Sequence, residues 1–198
     1  MIKVGITGGI GSGKSTVCRV FETFGIPVFY ADAVAKSIMV TDHILVTGLK
    51  ETFGQESYDD SGKLNTKHIA AIVFNDKDQL ARLNALVHPA VFRAFDVWIE
   101  TIPPNTPYIL KEAALLFESG SYKLCDKSVL VTAPASVKIK RVMDRDGVSA
   151  GQVEARMDKQ MSDDEKSKMA DFLIRNDGSQ SVIHQVLELH HQFLNLTK

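Results

Sequence analysis

Residues 5–16, GITGGIGSGKST, hold five glycines, one lysine and two adjacent hydroxyl residues directly after it. Glycine loses more backbone freedom on folding than any other residue, so such a cluster is unfavourable unless the chain must turn tightly or approach a ligand closely. Gly8-x-x-x-x-Gly13-Lys14-Ser15 fits the phosphate-binding loop pattern G-x-x-x-x-G-K-[ST]. The flanks are those the pattern requires. Ile2–Thr7 (IKVGIT) is short, apolar and β-branched, which predicts a buried strand. Val17, Val20, Phe21 and Phe24 then recur at helical spacing, and Gly25 stands where a helix would stop. A strand, a bare-backbone turn and a helix N-terminus offer inward N–H groups and positive potential to a phosphate chain. Lys14 is expected to reach the β- and γ-phosphates of a nucleotide, and Ser15 to place its hydroxyl on Mg²⁺. Gly11, Ser12, Gly13 and Thr16 complete the expected nucleotide contacts of the loop. The dinucleotide fingerprint G-x-G-x-x-G is absent, since Gly9-Ile10-Gly11 is followed by Ser12-Gly13-Lys14.

The remaining chain alternates strand and helix patterns. Residues 27–30 (PVFY) predict a second strand and 31–40 a second helix. A strand, crossover helix and strand within about thirty residues imply a parallel α/β sheet. From 43 to 102 the pattern is mostly helical, broken by a turn at Asp59-Asp60-Ser61-Gly62, and Pro89 is expected to bend or end a helix at His88. Strand patterns return at 108–110 and 128–132. Segment 136–171 is helical and charged. In it Ser149 with Gln152, and Ser162 with Glu165, have capping-box spacing. The acidic run Asp163-Asp164-Glu165 therefore reads as a dipole-favoured helix start rather than a metal site. Residues 172–175 predict a last strand and 181–196 a closing amphipathic helix. His184, His190 and His191 are expected to be surface histidines, because neighbouring helix positions face different ways and H-E-x-x-H is missing.

A phosphate loop serves kinases, switches and motors alike. The guanine-reading N-K-x-D is not matched by its nearest string, Asn75-Asp76-Lys77-Asp78, and at 198 residues the chain is short for a motor. Asp59-Asp60-Ser61-Gly62 fits D-x-x-G without a strand before it, which favours a plain turn. A small-molecule kinase is the reading that remains. Such an enzyme closes helical lobes over its substrates to keep water from the phosphoryl group. A net charge of −1 argues against a nucleic-acid partner. The two cysteines, Cys18 and Cys125, are far apart and point to free thiols in a reducing compartment, with Cys18 in the core. No apolar run approaches the roughly 18 residues that span a bilayer, and no secretory signal is visible, so a cytoplasmic protein without a membrane partner is expected. Asp32 follows the second predicted strand, where α/β proteins bind ligands. It could take a proton from an attacking hydroxyl or help hold Mg²⁺, and it could equally be a helix N-cap.

The strings GITGGIGSGKST, ADAVAK, LNALVHPAV, EAALLFES, KRVMDRDG and ADFLIRNDG resemble, in order and spacing, the dephospho-coenzyme A kinase family. The resemblance covers nearly the whole chain. The Leu83-Asn84-x-x-Val87-His88-Pro89 and Leu115-Leu116-Phe117-Glu118 stretches are its specific part. It implies transfer of a phosphoryl group from ATP to the ribose 3′-hydroxyl of dephospho-coenzyme A, with Mg²⁺ as cofactor and ATP as co-substrate. It implies Asp32 as general base, His88 as an acceptor-binding residue, a lid over ATP carrying Arg145 at the transferring phosphoryl group, Arg141 at the ATP and Asn176 close to its adenine, while Arg141 and Arg156 could equally belong to an exposed charged helix paired with Asp144 and Asp146. Arg141 and Arg145, four apart, share a helical face, and guanidinium suits phosphate. The chain departs from the family pattern at Glu112 and Ala114, where aspartate and proline are usual.

The expected architecture is α/β: a three-layer P-loop kinase core with a parallel β-sheet, plus helical acceptor-binding and lid insertions. One domain over residues 1–198 would have its core in 1–40, 105–143 and 166–198, the acceptor-binding insertion at about 60–104 and the lid at about 144–165. The expected assembly is a monomer or small homo-oligomer.

Overall fold

The computed structural model describes residues 1–74 and 76–196. Asn75, in the string compared with the guanine signature, and Thr197 and Lys198, at the end of the expected core, lie outside the described residues. The chain forms two compact units, Met1–Tyr30 with Ile102–Lys198, and Ala31–Thr101.

The first unit is built on a sheet of β1 (Ile2–Thr7), β2 (Val28–Tyr30), β3 (Tyr108–Glu112), β4 (Lys127–Thr132) and β5 (Phe172–Arg175). The strand order is β2-β3-β1-β4-β5 and every pairing is parallel. β1 lies at the centre, and its residues from Val4 to Thr7 are buried, as its near-continuous apolar run requires. The register pairs Ile6 with Glu112 and Thr7 with Leu130, so the C-terminal ends of β1, β3 and β4 lie side by side beneath the glycine loop.

Helix α1 (Lys14–Thr23) turns Val17, Cys18 and Phe21 onto the sheet; of the stripe Val17, Val20, Phe21 and Phe24 read from the sequence, Val20 is only partly buried and Phe24, past the end of the helix, is exposed. Phe21 meets Tyr108 edge-on at 6.3 Å. Burying an aromatic of this size contributes about 1.5–3 kcal/mol. Burial pushes the Cys18 thiol far above its usual range, with Glu112 and Glu22 adding to the effect, so it is an inert core residue. α1 stops where expected. Gly25 takes φ +77° and its N–H bonds the Glu22 carbonyl at 2.9 Å.

Helices α6 (Ala135–Asp146), α7 (Ala150–Met157), α8 (Asp163–Met169) and α9 (Val182–Leu196) belong to the same unit. Both predicted capping boxes form, on Ser149 and Ser162, and the acidic run opens α8. One expectation fails here. His190 is not a surface residue: it is half-buried, stacks on Phe24 at 4.8 Å and shares a 2.6 Å hydrogen bond between its Nδ1 and the Tyr108 hydroxyl. Burial lowers its pKa, with His191 adding a smaller push. The amphipathic pattern over 181–196 announced a closing helix but could not show that a buried tyrosine needed a polar partner there.

In the second unit, α2 (Ala31–Thr41), α3 (His43–Phe53), α4 (Thr66–Val73) and α5 (Lys77–Glu100) pack together, with a short 3₁₀ turn at Gln55–Ser57. Asp42 caps α3 through the Leu45 N–H and accepts from Arg93 of α5 at 2.8 Å. Together these bonds hold its carboxyl below the usual range, the Leu45 N–H contributing most. Asp59 is a turn residue, accepting from the Ser61 N–H, the Ser61 hydroxyl and the Lys63 N–H, with Gly62 at φ +79°. Pro89 does not end a helix at His88: α5 runs through it to Glu100. The buried stripe Val87, Ala90, Val91 and Phe95 lies on both sides of the proline, so packing outweighs the lost backbone bond.

Candidate active site

Three side chains tie carbonyls of the loop between β1 and α1. Lys14 Nζ donates to the Gly8 carbonyl at 3.0 Å. Arg141 Nη1 donates to the Gly11 carbonyl at 3.4 Å, and Asn176 Nδ2 to the Ser12 carbonyl at 2.8 Å. The C=O and N–H of a trans peptide point opposite ways, so tying the Ser12 carbonyl to Asn176 turns the Gly13 N–H away from it. Asn176 is itself fixed, its N–H on the Thr132 carbonyl at 2.8 Å and its own carbonyl on Arg141 Nη2 at 3.0 Å. Gly13 takes φ +95° as the residue before α1, and a Cβ there would collide with Asn176 Nδ2. Only glycine fits both the backbone and the space.

A cleft of about 330 Å³ opens at the loop, lined by Gly11, Gly13, Lys14, Ser15 and Thr16 with Arg19, Arg141 and Arg145. Three guanidiniums and an ammonium line it, and none of the described residues lining it is acidic. α1 points its N-terminus there as well, so the peptide dipoles and side chains favour a polyanion together. Behind Lys14, Glu112 at the end of β3 is almost fully buried with Oε1 4.0 Å from Nζ.

Arg145 lies in the last turn of α6. Its Nε and Nη2 form a fork on Asp146, at 2.7 and 3.1 Å, and Arg156 Nη1 shares that carboxylate at 3.0 Å. The two guanidiniums hold the Asp146 carboxyl below its usual range, Arg145 most strongly. Beyond α7, a set of ion pairs fastens the chain. Lys138 bonds Asp163 at 2.8 Å. Lys166, wholly buried, reaches Glu118 at 2.9 Å and the Ala114 carbonyl at 3.2 Å, and Glu118 also accepts the Met161 N–H at 3.0 Å. Lys166→Met should therefore lower stability by about 3 kcal/mol, the low end for breaking a buried pair, because Glu118 keeps some solvent contact. At roughly 2–4 °C per kcal/mol for a chain of this size, calorimetry should record a midpoint about 6–12 °C lower. An unchanged midpoint would remove the pair from the forces that hold α8.

The structure thus brings Gly11, Ser12, Gly13, Lys14, Ser15, Thr16, Arg141, Arg145 and Asn176 together within the first unit. Asp32 and His88 belong to the second. Asp32 is exposed in the first turn of α2, which begins at Ala31, so it is not an N-cap. His88 is half-buried mid-way along α5, with Phe92 one turn on, and burial lowers its pKa, favouring the neutral imidazole. Arg19 was not singled out in the sequence, although its i+4 spacing from Ser15 could have suggested it. The Lys138–Asp163 and Lys166–Glu118 pairs had no local signal.

A parallel sheet with a phosphate loop between its central strand and α1, and cations from α1 and α6 around that loop, defines a P-loop kinase. The model of one kinase family, dephospho-CoA kinase, matches residues 2–181. A dephospho-CoA kinase of Salinibacter ruber is 42% identical over 180 residues, covering 90% of each chain. A solved dephospho-CoA kinase from Campylobacter jejuni superposes with a TM-score of 0.71 at 25% identity over 99% of this chain and 98% of that one. A Thermus thermophilus crystal structure reaches 0.85 at 34% identity over 96% of both. The chain belongs to the dephospho-CoA kinase family. No helix among the described residues is long and apolar enough to cross a membrane.

Proposed function

We propose that this protein transfers the γ-phosphoryl group of ATP to the ribose 3′-hydroxyl of dephospho-coenzyme A, giving coenzyme A and ADP, the last step of coenzyme A biosynthesis. The observation that carries this reading is the cationic cleft at residues Gly11 to Thr16, in a chain of this family. Gly11, Ser12, Gly13, Ser15 and Thr16 would bind the triphosphate through the loop backbone and hydroxyls. Lys14 would neutralise the β- and γ-phosphates, Arg141 and Asn176 would hold the nucleotide beside the loop, and Arg145 would leave Asp146 to meet the transferring group. Asp32 would take the proton of the attacking hydroxyl, and His88 would bind the acceptor.

The Ser15 hydroxyl and the Glu112 carboxylate are hard oxygen donors of the kind Mg²⁺ takes, so the residues present fit that ion beside the nucleotide. When bound, Mg²⁺ supplies charge neutralisation on the phosphate oxygens. Residues 60–104 would serve the acceptor and 144–165 would act as the lid that excludes water. We assign the protein to the cytoplasm, as a monomer or small homo-oligomer without a nucleic-acid partner.

The test is ADP release with dephospho-coenzyme A present and absent, with mass analysis of the acceptor. Acceptor-dependent release and gain of one phosphoryl group are expected; release that ignores the acceptor overturns the reading. His88→Ala should raise the KM for the acceptor about three- to tenfold, the worth of one neutral hydrogen bond, and leave the KM for ATP within about twofold. Equal effects on both would make His88 a structural residue of α5.

A further inference from the structure

We propose that Gln160 is a positioning residue that locks the outer shoulder of the phosphate loop and registers the loop against the segment following α7. The Ile10 N–H donates to Gln160 Oε1 at 2.9 Å, across 150 positions of sequence. The three side-chain ties to the loop carbonyls fall on either side of this shoulder. Lys14 holds the Gly8 carbonyl, Arg141 the Gly11 carbonyl and Asn176 the Ser12 carbonyl. Residues 9 and 10 lie between those anchors; the Gly9 carbonyl accepts the Ser12 N–H at 3.1 Å within the loop, and Gln160 ties Ile10 to a segment outside it.

Gln160 is itself placed by its neighbours. Its N–H bonds the Met157 carbonyl at 2.9 Å, Met161 is tied to Glu118, and Asp163 is tied to Lys138. That ion pair abuts the loop: a Cβ on Gly9 would stand 3.3 Å from both Lys138 Nζ and Asp163 Oδ1. A neutral amide is the fitting acceptor here. A carboxylate would take the same bond but add negative charge beside a surface built for phosphate. With Ile10 N–H satisfied by the protein, the loop holds its shape before the nucleotide arrives, and the ordering cost of binding falls. The same bond makes the position of segment 144–165 depend on a correctly formed loop.

The inference rests on the kinase reading only where it concerns ATP, so the closing experiment has one arm that needs no turnover. Amide hydrogen exchange at Ile10, followed by NMR on the full chain, should accelerate at least about tenfold in Gln160→Leu, because the acceptor that protects the N–H is gone. Gln160→Glu keeps an acceptor oxygen and should restore protection. In steady state, Gln160→Leu should raise the KM for ATP about five- to tenfold, with the acceptor KM and the thermal midpoint little changed. Gln160→Glu should raise the KM for ATP too, through its charge, while the loop stays protected. Gln160→Ala repeats both arms with a side chain that cannot overpack. Unchanged exchange at Ile10 in the Leu and Ala variants overturns the proposal, as does an unchanged KM for ATP in an active enzyme. Loss of acceptor-dependent turnover in the unsubstituted protein would sink the kinase reading alone, and the exchange arm would still decide the latch.

Discussion

Lys14→Ala is expected to reduce turnover by about 10³-fold or more, the upper range for removing one preorganised charge from a reacting group. The lysine is the cation that opens α1, its ammonium sits against the Gly8 carbonyl, and among the described residues it is the lysine that lines the cleft. The three arginines around it would still attract a polyanion, so ATP binding should weaken less than the rate falls. The fold should survive, because the apolar cluster under the sheet does not include Lys14. Some stability will be lost, since Glu112 is buried 4.0 Å away and loses a cation. Circular dichroism and a melting curve run beside the rate assay separate the two effects. Near-normal rates in a folded variant would remove the phosphate-loop reading.

Asp32→Asn should lower kcat by roughly 10²-fold or more, the usual contribution of a general base, with the affinity for ATP largely kept. Asparagine has the same shape but does not accept a proton from a hydroxyl. The change is also gentle on the structure. Asp32 is exposed in the first turn of α2, where losing its charge forfeits the dipole interaction, about 0.3–1 kcal/mol. The informative quantity is the split between kcat and ATP affinity. If affinity for ATP collapses with the rate, Asp32 organises the metal and nucleotide and is not the base.

The elements that were legible are those whose cause is local. Ser149 with Gln152 and Ser162 with Glu165 satisfy helix-end donors three residues apart, so their spacing alone announced two helix starts that the structure contains. Gly25 could be read as a helix stop because its left-handed backbone is a property of that one position. Pro89 shows the limit of the same logic. Its local effect is to break a helix, yet the packed faces of α5 on either side keep the helix whole. His190 shows the other limit: its partner, Tyr108, lies 82 positions away, on a strand.

The candidate site divides in the same way. Spacing put Arg141 and Arg145 on one face of α6, but not the fact that the face meets the glycine loop. Asn176 came only from the family resemblance, since nothing in Asn-Asp-Gly foretells a bond to the Ser12 carbonyl, 164 residues away. Gln160 and Lys166 carried no signal at all.

From the sequence alone came the strand–loop–helix unit, its phosphate chemistry and the parallel α/β frame, because each depends on residues within one or two turns of one another. Only the tertiary structure decided which distant side chains tie the loop carbonyls, which guanidiniums share the cleft with Lys14, and which buried lysine fastens α8. Those choices depend on how the strands are ordered and which helix faces meet. A single bond spanning 150 residues leaves no periodicity in the chain for a reader to find.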